Sequence, residues 1–257
     1  MDGMRVIEVK QSVFADNDRK ADELRCRLHA QGTYLLNLMS SPGAGKTTVL
    51  TRTILALSGE LSMAVMDADI DSVVDAQALA ATGVRTIQIH TGGMCHLDAS
   101  MTEQGLGELL GGWEDAGGAD DAATGGAAAD DAVAAAGRHV DLAFLENVGN
   151  LVCPAEFDTG ASKNAMILSV PEGDDKPLKY PLMFQVCDVV LVNKMDTLCV
   201  FDTFSLERAI ENIHMRNPGA VVIPVSAKTG EGMDAWYDWL RGEVAAWKTV
   251  PTSTSAQ

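Results

Sequence analysis

The sequence predicts an α/β protein, three layers of helix, sheet and helix around a mainly parallel central sheet of about seven strands. One observation behind this is the apolar run Tyr34-Leu-Leu-Asn-Leu-Met39, which leads into Ser40-Ser-Pro-Gly-Ala-Gly-Lys-Thr-Thr48 and then a helix-competent segment, Thr48 to Leu57. A second is the recurrence of short apolar runs down the chain, each ending in a polar loop that carries glycine, acid or Asn-Lys. A third is size: 257 residues, 47% of them hydrophobic, suffice for one generous α/β domain with a full core.

The loop after the first run is a phosphate-binding loop, so the predicted architecture is that of the P-loop NTPases. The backbone N–H groups of Gly43, Ala44, Gly45, Lys46, Thr47 and Thr48 can point inward at a phosphate, and the helix N-terminus adds partial positive charge. Lys46 would reach the β- and γ-phosphates, and the Thr47 hydroxyl would bind Mg²⁺. Ser40 stands where the general G-x-x-x-x-G-K-[ST] pattern has its first glycine.

The formal net charge of −17 argues against a nucleic-acid backbone or an anionic membrane surface as partner. Met1 to Lys10 has no apolar run suited to a signal peptide, and no stretch approaches the ~20 apolar residues that span a bilayer. The expectation is an acidic cytoplasmic protein. The five cysteines, at 26, 95, 153, 187 and 199, fit reduced thiols, some of them candidate metal ligands, better than a disulfide framework.

In chain order, residues 1–32 read as an N-terminal extension, with an extended piece from Arg5 to Val9 and a helix from about Asp16 to Ala30. Leu24 and Leu28 form an i, i+4 stripe that packs this helix on the outside of the main domain, 33–247. Ser62-Met-Ala-Val-Met66 is the second strand, followed by the acidic patch Asp67-Ala-Asp69-Ile-Asp71 and a helix from about Asp75 to Ala81. Acidic residues past a strand end beside a phosphate loop suit Mg²⁺, directly or through water; the alternative is a solvated loop capping the next helix. Arg85-Thr-Ile-Gln-Ile-His90 is the third strand, ending in Thr91-Gly-Gly-Met-Cys95-His96-Leu-Asp98. An adjacent thiolate and imidazole suit Zn²⁺ or Ni²⁺, with further ligands required from elsewhere in the chain or a second subunit. The alternative is a buried Cys beside a helix-capping His.

Residues 111–137 are acidic, low in complexity and nearly free of large apolar side chains, and are expected to form a flexible insertion or a poor alanine-rich helix. Val140-Asp-Leu-Ala-Phe-Leu145 is a strand ending in Glu146-Asn-Val-Gly149, the pattern of a nucleotide-switch loop whose glycine N–H bonds a γ-phosphate, with Cys153 four residues on. Ala165 to Val170 and Asp188 to Val192 are further strands, the second leading into Asn193-Lys194-Met-Asp196. That spacing reads guanine: the Asp196 carboxylate accepts from N1–H and the exocyclic amine, which adenine cannot offer in that arrangement. Lys194 would lie over the base or brace the phosphate loop. Ala220 to Pro224 is the last strand, and the loop Ser226-Ala227-Lys228 can touch the guanine oxygen with its backbone. A helix from about Met233 to Trp247, with Trp236, Leu240 and Val244 on one face, precedes a tail, 248–257, expected to be disordered.

Taken together, Ser41-Pro-Gly-Ala-Gly-Lys-Thr-Thr48, Thr91 to Ala99, Glu146 to Ala155, Glu172-Gly-Asp-Asp-Lys-Pro177 and Asn193-Lys-Met-Asp196 resemble the HypB family of SIMIBI-class hydrogenase nickel-incorporation GTPases. The resemblance runs from about residue 5 to 245 apart from the insertion, and Ser40 fits it too. It implies hydrolysis of GTP to GDP and phosphate, a GTP- and metal-dependent homodimer holding Ni²⁺ or Zn²⁺ at its interface, and partnership with the nickel chaperone HypA and a hydrogenase large-subunit precursor. By position it makes Cys95, His96 and Cys153 metal ligands and matches Asp69 and Asp75 to acidic residues near Mg²⁺ and the γ-phosphate; with Lys46, Thr47 and the strand-end Glu146 these acids form the expected catalytic set. Some relatives carry an N-terminal Cys-x-x-Cys-type nickel site or a histidine-rich tract; Met1 to Gln31 holds one Cys and one His. Competing readings are a nickel GTPase serving urease and a small-molecule kinase built on the same loop, the latter disfavoured by the guanine motif.

Overall fold

A computed structural model describes residues 9–69, 74–111 and 139–249. The extended piece read at Arg5 to Val9 and the insertion read at 111–137 lie outside these residues, apart from Val9 and Gly111 at their borders. The seven strands are β1 Tyr34–Ser40, β2 Met63–Asp69, β3 Arg85–His90, β4 Leu142–Glu146, β5 Lys163–Ser169, β6 Val189–Asn193 and β7 Val221–Pro224. They form one sheet in the order β3-β2-β4-β1-β5-β6-β7, and every neighbouring pair is parallel. The expectation of a mainly parallel sheet is met by a wholly parallel one. The central strands β1 and β4 are buried at every residue, as a sheet covered on both faces requires.

The helices are α1 Val9–Gln31, α2 Lys46–Leu57, α3 Val74–Ala80, α4 Ala99–Leu110, the short α5 Lys176–Lys179 and α6 Pro181–Gln185, α7 Leu206–Arg216 and α8 Met233–Thr249. Alternation along β1 divides the core. Leu36 and Leu38 face Leu50 and Ile54 of α2 and Trp236 and Leu240 of α8. Leu35 faces the opposite side with Leu24 and Leu28 of α1 and Leu106 of α4, so the N-terminal helix is one of the layers that cover the sheet. Met39, on that same side, packs with Met183 of α6 and Ile213 of α7. Completely burying side chains of this size contributes roughly 1.5–3 kcal/mol each before ordering entropy is subtracted.

Several boundaries differ from the sequence reading. Helix α1 begins at Val9, ahead of the expected Asp16, so Val9 is helical where an extended residue was expected. The second strand was expected to stop at Met66, but its ladders to β3 and β4 carry it to Asp69, so the acidic patch begins inside the sheet. The last helix continues through Lys248 and Thr249, two residues into the expected tail; Lys248 is held there by an ion pair to Asp141. Among the described residues no helix is long and apolar enough to cross a membrane.

Candidate nucleotide and metal site

The loop between β1 and α2 turns on two glycines in the left-handed region, Gly43 (φ 75°) and Gly45 (φ 103°), where side chains carrying a Cβ are strained. Gly45 is also sterically required: a Cβ there would stand 2.6 Å from Asn193 Nδ2. The serine in place of the first loop glycine has a visible role. Ser40 is fully buried, its Oγ donates to the Ser41 carbonyl at 2.7 Å, and it accepts from Lys46 Nζ at 3.1 Å. Ser41 Oγ bonds Glu172 Oε1, while Glu172 Oε2 accepts from the N–H (2.8 Å) and hydroxyl (2.7 Å) of Ser169. Glu172, noted in the sequence only as part of a motif, therefore ties the phosphate loop to the end of β5.

Thr47 Oγ1 donates to Glu146 Oε1 at 3.3 Å. A hydroxyl and a carboxylate oxygen at a helix N-terminus suit a hard cation such as Mg²⁺. Asp67 is buried in register with Glu146 on the neighbouring strand. It opens the acidic patch read as suited to Mg²⁺, and it lies inside the sheet where a loop was expected. Asp69 closes β2 and Asp75 lies in the first turn of α3. Gly149 sits against the phosphate loop, with Pro42 atoms 3.2–3.3 Å from where its Cβ would be. The start of this switch is anchored by a buried run of amides that sequence reasoning missed. Asn147 Nδ2 donates to Asn37 Oδ1 at 3.1 Å, and Asn37 Nδ2 donates to Asn164 Oδ1 at 2.9 Å. In the sequence only Asn37, a lone amide inside the apolar run Tyr34 to Met39, hints at it.

The Asn193-Lys194-Met-Asp196 segment meets the phosphate loop directly. Asn193 Nδ2 donates to the Ala44 carbonyl at 2.9 Å, and its Oδ1 accepts from the Ala227 N–H at 3.1 Å. Lys194, at φ 63°, donates from Nζ to the Gly43 carbonyl at 2.6 Å, the bracing role among the two considered for it. Asp196 Oδ1 accepts from the buried Ser226 hydroxyl at 2.7 Å, and Lys228 Nζ stands 3.9 Å from Asp196 Oδ2. A cleft of about 940 Å³ adjoins the phosphate loop and the Ser226–Lys228 loop, lined by Thr47, Thr48, Arg52, Ala227, Lys228 and Asp234 among others.

Of the three expected metal ligands, two meet. Cys95 and Cys153 are neighbours: interaction with the Cys153 side chain, ahead of burial, holds the Cys95 pKa above its ordinary value. His96 Nδ1 lies 4.0 Å from Cys95 Sγ, and the His96 ring stacks on Phe157 with centroids 3.9 Å apart and planes at 13°. Among the described residues no three His, Cys, Asp or Glu side chains converge as a metal shell. Helix α4 is capped by Asp98, whose carboxylate accepts from the Met101 N–H at 2.8 Å, so the capping role does not fall to His96. A soft donor pair of two thiols, with an imidazole alongside, fits Ni²⁺ or Zn²⁺ and not a hard cation.

The family described as the CobW/HypB/UreG nucleotide-binding domain matches residues 35–224. The hydrogenase maturation factor HypB of Azotobacter vinelandii is 44% identical over 236 residues, 92% of this chain and 69% of that protein. The chain belongs to the HypB family. The hydrogenase/urease maturation factor HypB of Helicobacter hepaticus is 39% identical over 234 residues, 91% of this chain and 86% of that one. The crystal structure of HypB from Helicobacter pylori in complex with nickel superimposes with a TM-score of 0.75 at 36% identity, covering 93% of this chain and 100% of that one.

Proposed function

We propose that this protein is a GTP-hydrolysing metallochaperone that helps insert nickel into [NiFe]-hydrogenase, acting as a GTP- and metal-dependent homodimer in the cytoplasm with a HypA-type nickel chaperone and the hydrogenase large-subunit precursor as partners. The observation that carries the reading is the Cys95 thiol 4.0 Å from the His96 ring nitrogen, with Cys153 beside it four residues beyond Gly149, in a chain similar to the nickel-bound HypB of Helicobacter pylori. Nickel, or zinc in its place, is cargo on these thiols. Two thiols per chain make half of a tetrahedral set, and a two-fold axis would pool them with a second copy, His96 joining when it leaves Phe157.

In this mechanism the triphosphate lies in the Gly43–Thr48 loop. Lys46 releases Ser40 Oγ and turns to the β- and γ-phosphates, while Asp196, with Ser226, Ala227 and Lys228, selects guanine. Mg²⁺ would be held by Thr47 with Glu146 and the acids Asp69 and Asp75 nearby, and it would neutralise charge on the β- and γ-phosphates. Glu146 orients the attacking water, whose oxygen forms the new bond to phosphorus as the bond to the GDP oxygen breaks. The Gly149 N–H loses its acceptor when phosphate leaves, and the switch relays that loss to Cys153.

The test is metal analysis of purified protein with and without a non-hydrolysable GTP analogue, beside phosphate release from GTP alone. Phosphate release without a second substrate, and nickel stoichiometry that changes with nucleotide, support the reading. Absence of both would sink it. The name of the Helicobacter hepaticus relative favours a second destination, urease. Restoring hydrogenase against urease activity in cells lacking their own factor separates the two.

A further inference from the structure

We propose that Arg52 is a positioning residue for guanine recognition, acting through the peptide group that joins Ala227 to Lys228. The inference rests on the guanine-nucleotide reading above. Arg52 lies on α2, the helix that begins at the phosphate loop, and reaches 175 residues along the chain. Its Nε donates to the Ala227 carbonyl at 2.6 Å and its Nη2 to the Lys228 carbonyl at 3.0 Å. The planar fork engages two successive carbonyls, which a point charge could not do with the same geometry. Gly230 leaves room for it: a Cβ there would stand 2.8 Å from Arg52 Nη1.

The consequence lies on the far side of the same peptide. In a trans peptide the C=O and N–H point in opposite directions, so an arginine that holds the Ala227 carbonyl also aims the Lys228 N–H away from itself. Along this loop the N–H groups of Ser226, Ala227, Thr229 and Gly230 each donate inside the protein, to Glu231, Asn193, Ser226 and Ser226. The Lys228 N–H is the one without a protein acceptor among the described residues of that stretch. It is the donor left for the guanine O6. A charged donor on the carbonyl polarises the peptide and strengthens that N–H as a donor. Arg52 thus couples the helix that holds the phosphates to the single backbone group that reads the base oxygen, without touching the nucleotide itself.

The experiment compares GDP with 6-thioguanosine 5′-diphosphate by titration against the full chain and its Arg52→Ala variant. The thio-nucleotide keeps N1–H and the exocyclic amine that Asp196 reads, and presents a weak acceptor where O6 stands. The parent chain is expected to prefer GDP. In Arg52→Ala, GDP binding should weaken about 2- to 10-fold while the thio-nucleotide changes less, so that the preference shrinks. Equal weakening of both ligands would mean a merely structural role and overturns the inference, as does no change in either. Should Arg52→Ala fail to fold, Arg52→Lys keeps the charge and the apolar stem, removes the fork and faces the same ratio test. A parent chain that prefers no guanine nucleotide over ADP overturns the functional reading and this inference with it; retained guanine preference with an unchanged ratio overturns the inference alone.

Discussion

Asn193 and Ala44 are joined by a 2.9 Å hydrogen bond from the amide of one to the carbonyl of the other, so the end of β6 is tied to the loop between β1 and α2. The same side chain accepts from the Ala227 N–H, linking a third loop. Its loss would leave two buried backbone groups unsatisfied, each costing about 1–3 kcal/mol. Asn193→Ala is therefore expected to weaken GDP binding by at least tenfold. Gly45→Ala, which drives a methyl toward the same amide, should do as much or more. Titration calorimetry checks both; affinities within twofold of the parent would refute the tie.

Lys46→Ala should abolish GTP hydrolysis and leave the fold intact. Among the described residues the ammonium's hydrogen-bond partner is one serine hydroxyl, so little stability is lost, whereas the phosphates lose their charge partner. Phosphate release and a melting curve on the same sample decide it, and unchanged turnover would remove the phosphate-loop assignment.

Replacing Asp196 with asparagine presents a donor where the carboxylate has only acceptors. Asp196→Asn should shift preference from guanosine to xanthosine nucleotides. Competition between GDP and XDP measures it. Ser226 Oγ can still donate to the asparagine oxygen, so the loop survives the change.

Cys95→Ala or Cys153→Ala should remove the interface metal while the monomer still binds GTP, because neither thiol is part of the phosphate or base contacts. In the parent chain, metal affinity should differ between GDP and GTP-analogue states, and metal must then change nucleotide affinity by the same factor. Equal nickel and zinc affinities in both nucleotide states would rule out coupling through Gly149 and Cys153.

Asp174 accounts for part of the Glu172-Gly-Asp-Asp-Lys-Pro177 motif by a contact with no chemistry in it. Its carboxylate accepts from the Ser205 N–H at 2.7 Å and from Arg208 Nη2 at 2.7 Å, at the start of α7. Burial pushes its pKa up, but Arg208 and the Ser205 N–H outweigh burial and hold it below the ordinary carboxylate value. A depressed folded pKa means that this stability is present above the unfolded value, ~3.9, and is lost as pH falls through the folded one. Asp174→Asn should lower the melting temperature by a few degrees at neutral pH, a loss of about 1–3 kcal/mol, and the gap to the parent should close as pH drops below 4 or so. GTP hydrolysis should be unaffected at temperatures where both proteins are folded.

The sequence by itself determined the elements whose cause is local. A phosphate loop needs glycines at Gly43 and Gly45 and a helix start at Lys46, and those demands fall on adjacent residues. The strand ends at Glu146 and Asn193 were legible for the same reason, since an apolar run that breaks into polar residues marks where a buried strand leaves the sheet. The Trp236, Leu240 and Val244 stripe of α8 was readable from helical spacing, and all three are buried. What only the tertiary structure decided are contacts between residues far apart in the chain. Arg52 on the 227–228 peptide, the asparagine run across β4, β1 and β5, and Lys194 on the phosphate loop each join segments more than 100 residues apart. The tertiary structure also decided the place of His96, whose ring is stacked on Phe157, and the approach of Cys95 to Cys153. In a parallel sheet neighbouring strands are joined by long crossovers, so strand order decides which loops share an edge, and no local pattern states that order.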